Sequence, residues 1–241
     1  SGVTISTTEH LLAAISSFGI DNTEIEIDSS EVPIMDGSAA PFLQLLKNAG
    51  KKRQLMPRKI LKITKEIRYS DGDKYLRVTP YQGFKITGKI SFDDALINNQ
   101  SYSLEVNLDR FTEEISRART FGYVEQVEEL WANGLALGGT LENVIAIHWN
   151  RSSVLNEDGL RYEDEFIRHK LLDIIGDMVL LGCPILGHIE AFKSGHTQHL
   201  AFLQAIASAP ECWELVECRQ NGSYSVLNNV ISNSKAAGEM I

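Results

Sequence analysis

The chain lacks any apolar run approaching the ~20 residues a helix needs to cross a bilayer, so its 241 residues offer no candidate membrane span. Its first residues, SGVTISTTEH, lack the basic start and apolar stretch of a signal peptide. Basic residues are in the minority, with 23 Lys and Arg against 32 Asp and Glu and a formal charge of −9. That balance argues against a general nucleic-acid binder, whose affinity rests on neutralising phosphates, while leaving room for a local basic pocket for a diphosphate. Cysteine is scarce: Cys183, Cys212 and Cys218 are odd in number and follow no metal-finger spacing. Core or surface thiols in a reducing cytoplasm are the expectation. There is no strict internal repeat, and no HisGluXxxXxxHis segment of the common metallopeptidases.

What is present is an ordinary globular composition, 43% hydrophobic and 23% charged, long enough to bury a core. Ser6 and Glu9 have capping-box spacing, which predicts a helix from Thr7 through Phe18. Ile25 and Ile27 alternate with Glu24, Glu26 and Asp28 and predict a strand. Pro41 and Gly50 frame a helix over PFLQLLKNAG, and the basic stretch KKRQLMPRK at 51–59 reads as a linker. Beyond it, strands are predicted over 59–69, 75–79, 84–92 and 102–108, with Asp71-Gly72-Asp73 as a hairpin turn. A helical turn at 111–117, a short helix at 124–133 and a strand at 144–149 suggest a βαβ-like excursion. A long helix over 163–181, stopped by Gly182, then a strand at 184–192, a helix at 196–207 and a strand at 213–219 complete the order. The tail beyond shows weak periodicity. Strands in runs, separated by a few helices, predict an α+β fold in two units divided near 51–58.

The chemistry is concentrated in RHKLLDIIGD, residues 168–177. On a helix His169, Asp173 and Asp177 fall at i, i+4 and i+8, so one stripe presents an imidazole and two carboxylates. His and Asp one turn apart can chelate an ion such as Zn²⁺. A catalytic zinc needs a third protein ligand and an open position; His10 is the candidate, with Glu9 beside it as general base. On spacing alone such a His-x-x-x-Asp pair is more often a surface contact and Glu9 only a capping carboxylate, while Asp177 reads equally well as a helix-face charge bonded to a neighbouring backbone group. His148, His188 and His199 belong to no functional motif and read as structural or surface residues.

Five segments in order shift that weighting: ISTTEHLLAA at 5–14, EVPIMDGSAAPF at 31–42, SRARTFGY at 116–123, VLNEDGLRYEDEFIRHKLLDIIGD at 154–177 and FKSGH at 192–196. Together they resemble the UDP-3-O-acyl-N-acetylglucosamine deacetylases of lipid A synthesis, over nearly the whole chain. The resemblance implies zinc held by His10, His169 and Asp173, with Glu9 as base and His196 as general acid. Asp177 would be the carboxylate partner of His196, and Thr120 a hydroxyl at the carbonyl oxygen. It further implies substrate contacts from Lys170 and Phe121, from Lys74 and Lys193 towards the nucleotide-sugar, and from Phe92 near the uracil. The reaction implied is hydrolysis of an acetamide by water activated at zinc, Glu9 taking the water's proton and His196 supplying one to the departing amine.

The fold implied is two α+β sandwich domains with the zinc site between them. The family opens with several strands and a GlyLeuHisSerGly-type motif that this sequence lacks. Residues 1–55 are therefore expected to be the remainder of a first domain truncated at its N-terminal side. Residues 56–241 would form the second, with an insert at about 123–162 lining a passage for the acyl chain. A UDP-linked acyl-glucosamine is the expected partner, with no nucleic acid, no membrane insertion and no implied oligomer, in the cytoplasm of a Gram-negative-type bacterium. The rival readings are a non-catalytic zinc-binding homologue and another zinc hydrolase such as a peptidase.

Overall fold

The computed structural model describes residues 2–93, 95–125, 140–218 and 224–226. The expected α+β arrangement is present: one extended set of hydrogen-bonded strands with helices packed against it. Its strands are β1 (Arg58–Ile63), β2 (Ile67–Asp71), β3 (Lys74–Thr79), β4 (Phe84–Ser91), β5 (Asn99–Glu105), β8 (Ile185–Phe192), β9 (Trp213–Cys218) and β10 (Tyr224–Val226). A separate pair is formed by β6 (Phe121–Tyr123) and β7 (Ile145–Ile147). The helices are α1 (Glu9–Phe18), α2 (Ala40–Ala49), the turn α3 (Leu108–Arg110), α4 (Glu165–Met178) and α5 (His196–Ala207).

Strand β8 is the hub. Its start pairs in parallel with β1, and its remainder lies antiparallel to β3 and parallel to β4. Ile185, Leu186, Ile189 and Ala191 on it are all buried. The ladder continues outward through β9 and β10 on the β1 side and ends at β2 and β5 on the others. The hairpin predicted at Asp71-Gly72-Asp73 forms, with Asp71 opposite Lys74 and Gly72 in the left-handed region at φ +60°.

Helix α4 is the buried axis on which the site is built. Phe166, Ile167, Leu171, Leu172, Ile174, Ile175 and Met178 are each no more than 3% exposed. Apolar positions thus surround the His169/Asp173 stripe, as in a helix enclosed by protein on most sides. Gly182 in the left-handed conformation ends the helical run. Arg119 and Glu165, 1% and 0% exposed in their side chains, form an ion pair with Nε to Oε1 at 3.0 Å. Glu165 also accepts the backbone N–H of Arg119 at 2.9 Å and of Arg161 at 2.5 Å. One buried carboxylate thereby ties the SRART segment to the start of α4.

Three expectations are corrected. The segment carrying Ile25 and Ile27 is not a strand: it has no ladder partner among the described residues, and Ile25 is 50% exposed. Alternation sets a face, but a strand also needs an adjacent backbone. The single predicted strand at 59–69 is two, because the Thr64 and Lys65 amides both turn to the Cys212 carbonyl, at 2.9 and 3.2 Å. The capping box does not form: α1 begins at Glu9 without a side-chain cap. Ser6 instead bridges to Glu31, taking a bond from Val32 N and giving one to Ser30 O. Strands β6 and β7 pair in parallel. The helix expected at 124–133 lies mostly outside the described residues, as does part of the expected acyl passage, at 126–139.

Candidate metal centre and catalytic cluster

Helix α1 reaches α4 where α4 has no side chain. A β-carbon on Gly176 would meet the Glu9 carbonyl oxygen at 2.1 Å, so a glycine there lets the two backbones touch. The first residues of α1 consequently arrive beside the stripe on α4. His10, His169 and Asp173, each 2% exposed, come together with one possible ligand atom apiece within 4.8 Å of the others. The two imidazole rings stand edge to face, with centroids 5.0 Å apart.

The hydrogen-bond arrangement of these groups calls for a cation. His169 Nδ1 donates to the Ala118 carbonyl at 3.0 Å. In the neutral ring this leaves the Nε2 lone pair facing Asp173 Oδ1 at 3.2 Å. Asp173 Oδ1 and His10 Nδ1 are buried without a hydrogen-bond partner. Two facing acceptors and an unsatisfied carboxylate oxygen are costly in a protein interior, and a bound cation removes that cost. Burial holds His10 down at about 4, so its imidazole is neutral and able to ligate. Burial acts to raise Asp173, while the Lys170 ammonium, bonded to Oδ2 at 3.0 Å, favours its ionised form. Two nitrogens and one carboxylate are a donor set that a divalent metal ion can take.

A second cluster flanks the first. His196, at the start of α5, donates from Nδ1 to Asp177 Oδ2 at 2.7 Å. Its Nε2 lies 3.9 Å from Glu9 Oε1. The bond to Asp177 raises His196 to about 9, against burial and with help from Asp173 and Glu9. Glu9 is raised, chiefly by burial and then by Asp173 and Asp177. Asp177 is lowered: burial opposes this, but the bonds from His196 and His199 prevail. Geometry alone would let Asp177, His196 and His199 hold an ion as well, yet their facing atoms are already satisfied by one another.

Substrate-contact candidates fall in two places. Lys170 Nζ donates to Asp173 Oδ2 at 3.0 Å and lies 5.3 Å from the centre of the Phe121 ring. Phe121 stands edge-on to His169 at 6.3 Å and to Phe92 at 6.4 Å, so Phe92, Phe121 and Lys170 form a wall beside the metal cluster. Thr120, preceding Phe121, is fixed through its backbone, donating to Gly37 O and accepting from Ile145 N at 2.8 Å each. Lys193 instead meets Asp73 at 2.7 Å, and the charge of Lys74 acts on the same carboxylate. These two lysines meet at Asp73 rather than at the metal cluster.

His148 accepts from the Asn150 amide in a turn, and His188 bonds Thr87 on the sheet, as expected of structural histidines. His199 is different in its company. It is 1% exposed and bonds the same Asp177 oxygen as His196, at 2.6 Å. Its i, i+3 spacing from His196 in HTQH was the available signal, since such residues share a helix face.

A model of the UDP-3-O-acyl N-acetylglycosamine deacetylase family matches residues 1–208. Among curated relatives named UDP-3-O-acyl-N-acetylglucosamine deacetylase, that of Syntrophotalea carbinolica is 47% identical over 94% of this chain and 73% of its own length. That of Myxococcus xanthus is 47% identical over 91% and 69%, and that of Shewanella sp. strain W3-18-1 is 45% identical over 97% and 76%. Identity at this level, spanning the two helices that meet at Gly176 and the SerGlyHis turn before α5, places the chain in the UDP-3-O-acyl N-acetylglycosamine deacetylase family.

Proposed function

We propose that this hydrolytic deacetylase removes the acetyl group of a UDP-linked 3-O-acyl-N-acetylglucosamine at a zinc ion held by His10, His169 and Asp173. Its family acts in lipid A synthesis. The observation that carries the reading is Asp173 Oδ1, buried without a partner and 3.2 Å from a histidine nitrogen whose ring donates elsewhere. When bound, zinc supplies a Lewis acid that polarises the amide carbonyl and lowers the pKa of water.

The protein's own groups account for the proton movements. Glu9 accepts a proton from the attacking water, and the burial that raises its proton affinity makes it a stronger base than an exposed carboxylate. His196, cationic up to about pH 9 in this setting, donates through Nε2 to the leaving nitrogen. Asp177 holds the imidazolium through Nδ1, so the donating nitrogen is turned towards Glu9. Thr120 offers a hydroxyl to the developing oxyanion, and Lys170 a positive charge beside it. Phe121 and Phe92 lie against the substrate, and Lys74 and Lys193 engage the diphosphate once Asp73 releases Lys193. In this reading residues 1–55 and 56–241 are the two units that enclose the site, and the insert at about 123–162 receives the acyl chain.

The test is hydrolysis of the UDP-linked substrate, followed by acetate release, in chain of measured zinc content. Turnover that tracks zinc occupancy supports the reading, and turnover at full rate after complete chelation overturns it. Equal activity on a substrate without the acyl chain would remove the acyl-passage assignment alone.

A further inference from the structure

Asp177 offers two oxygens, yet both neighbouring histidines donate to one of them. His196 Nδ1 reaches Oδ2 at 2.7 Å and His199 Nδ1 reaches the same Oδ2 at 2.6 Å. The rings are nearly perpendicular, at 79°, with centroids 5.8 Å apart. His199 is fixed from its far side as well, where Nε2 shares a hydrogen with Ser194 Oγ at 3.0 Å. His199 is fully enclosed, whereas the His196 side chain is 54% exposed at the cleft. The buried imidazole is therefore a fixed component, and the exposed one can move.

We propose that His199 is a positioning residue that tempers the hold of Asp177 on His196 by donating a second N–H bond to the same carboxylate oxygen. The inference rests on the reading of His196 as the proton donor. A carboxylate committed to one imidazolium binds its proton tightly, and a donor held too tightly gives its proton up slowly. A second donor on the same oxygen withdraws part of that charge, so the first bond weakens while the carboxylate keeps its orientation. The other charged groups facing His196 are Asp173 on α4 and Glu9 on α1, with His10 behind them. On the α5 side, Gln198 turns away to Asp71. His199 is thus the group that competes for the bond His196 makes.

The test uses His199→Phe, which keeps a buried ring and removes the donor, and His199→Asn, whose amide N–H can occupy nearly the same position as the imidazole Nδ1–H. Both are read in the full zinc-loaded chain by pH–rate profile, and in the zinc-free chain by NMR titration of the His196 ring. Melting curves establish that each variant is folded. In His199→Phe the His196 titration and the alkaline limb are expected to move to higher pH by up to about one unit. kcat is expected to fall about tenfold with KM unchanged, and His199→Asn to restore both quantities. A limb that stays in place or moves to lower pH, or a rate loss that His199→Asn fails to rescue, overturns the proposal, since mere loosening of the pair would lower the titration. Should His196→Ala keep full activity, the proton-donor reading itself fails. Loss of activity in His196→Ala with an unmoved His199→Phe profile rejects only the role of His199.

Discussion

Gly176 and Glu9 are in backbone contact: a methyl group on Gly176 would stand 2.1 Å from the Glu9 carbonyl oxygen and 2.8 Å from its carbon. The depth at which α1 sits on α4, and hence the position of His10 over the His169/Asp173 stripe, is set by the absence of one carbon atom. Gly176→Ala improves helix propensity by about 1 kcal/mol, but the clash is with backbone, and overpacking costs about 1–3 kcal/mol. The expected outcome is a lower melting temperature with metal affinity falling more steeply than stability. Calorimetry and zinc titration measure the two; undiminished zinc affinity would show that α1 is free to shift without opening the site.

Removal of a metal-cluster side chain should be felt in stoichiometry before rate. His169→Ala takes away one nitrogen and frees the Ala118 carbonyl, and is expected to reduce zinc from one per chain to a weakly held fraction. Elemental measurement after gel filtration provides the check. Zinc retained at full stoichiometry in a combined His10, His169 and Asp173 variant would sink the assignment.

The acid and base should separate in the pH profile. Activity is expected to rise as Glu9 ionises, above its ordinary range because burial raises it, and to fall as His196 loses its proton near 9. Asp177→Asn removes the negative charge whose bond raises His196, so the alkaline limb should move down towards 6.5 with zinc unchanged. Glu9→Gln should abolish most of the rate and leave zinc bound. The same pair affects folding. His196 contributes stability in full below 6.5, lost as pH rises through about 9. Asp177, whose proton affinity is lowered, contributes above 3.8 and loses that contribution as pH falls. Melting temperatures of Asp177→Asn should therefore differ from the parent within that window and converge outside it.

The buried Arg119–Glu165 pair predicts a stability effect away from the cluster. Glu165→Ala removes the buried partner of a guanidinium 1% exposed, which keeps Asp158 and the Gly159 carbonyl, and takes the acceptor from the Arg119 and Arg161 amides, a loss of about 1–3 kcal/mol. Replacing both partners by apolar residues should cost less than replacing Glu165 alone. Chemical denaturation of the single and double variants is the measurement, and a Glu165→Ala midpoint equal to the parent's would refute the effect.

How much of this could be read from residues alone depended on whether the cause was local. Helix α4 was legible because its apolar positions and the following Gly182 are written within the segment. Its stripe of His169, Asp173 and Asp177 follows from helical spacing. The break after Ile63 was not, because the Thr64–Lys65 turn is made by a carbonyl at Cys212, distant in sequence. Ile25 and Ile27 carry a strand pattern without a partner to complete it. Glu9 looked like a capping side chain because Ser6 stands three residues before it; Ser6 is drawn instead to Glu31, and Glu9 is left to face His196. The role of His199 is not written in its segment, because its importance lies in sharing an acceptor, which no spacing from Asp177 reveals.

His10 and Asp173 lie about 160 residues apart along the chain, yet their facing atoms are 3.9 Å apart. An ion gripped by both is thus a cross-link, closing a loop that includes most of the sheet. A covalent tie across a loop of roughly that length is worth on the order of 5 kcal/mol through the entropy it removes from the unfolded chain. A coordinate tie differs in being reversible, so its contribution rises and falls with the free concentration of the ion. The melting point of this protein would then act as a gauge of available metal. Starvation for the ion would then expose the chain to proteolysis as well as stop its chemistry, coupling the amount of enzyme to the supply of the metal.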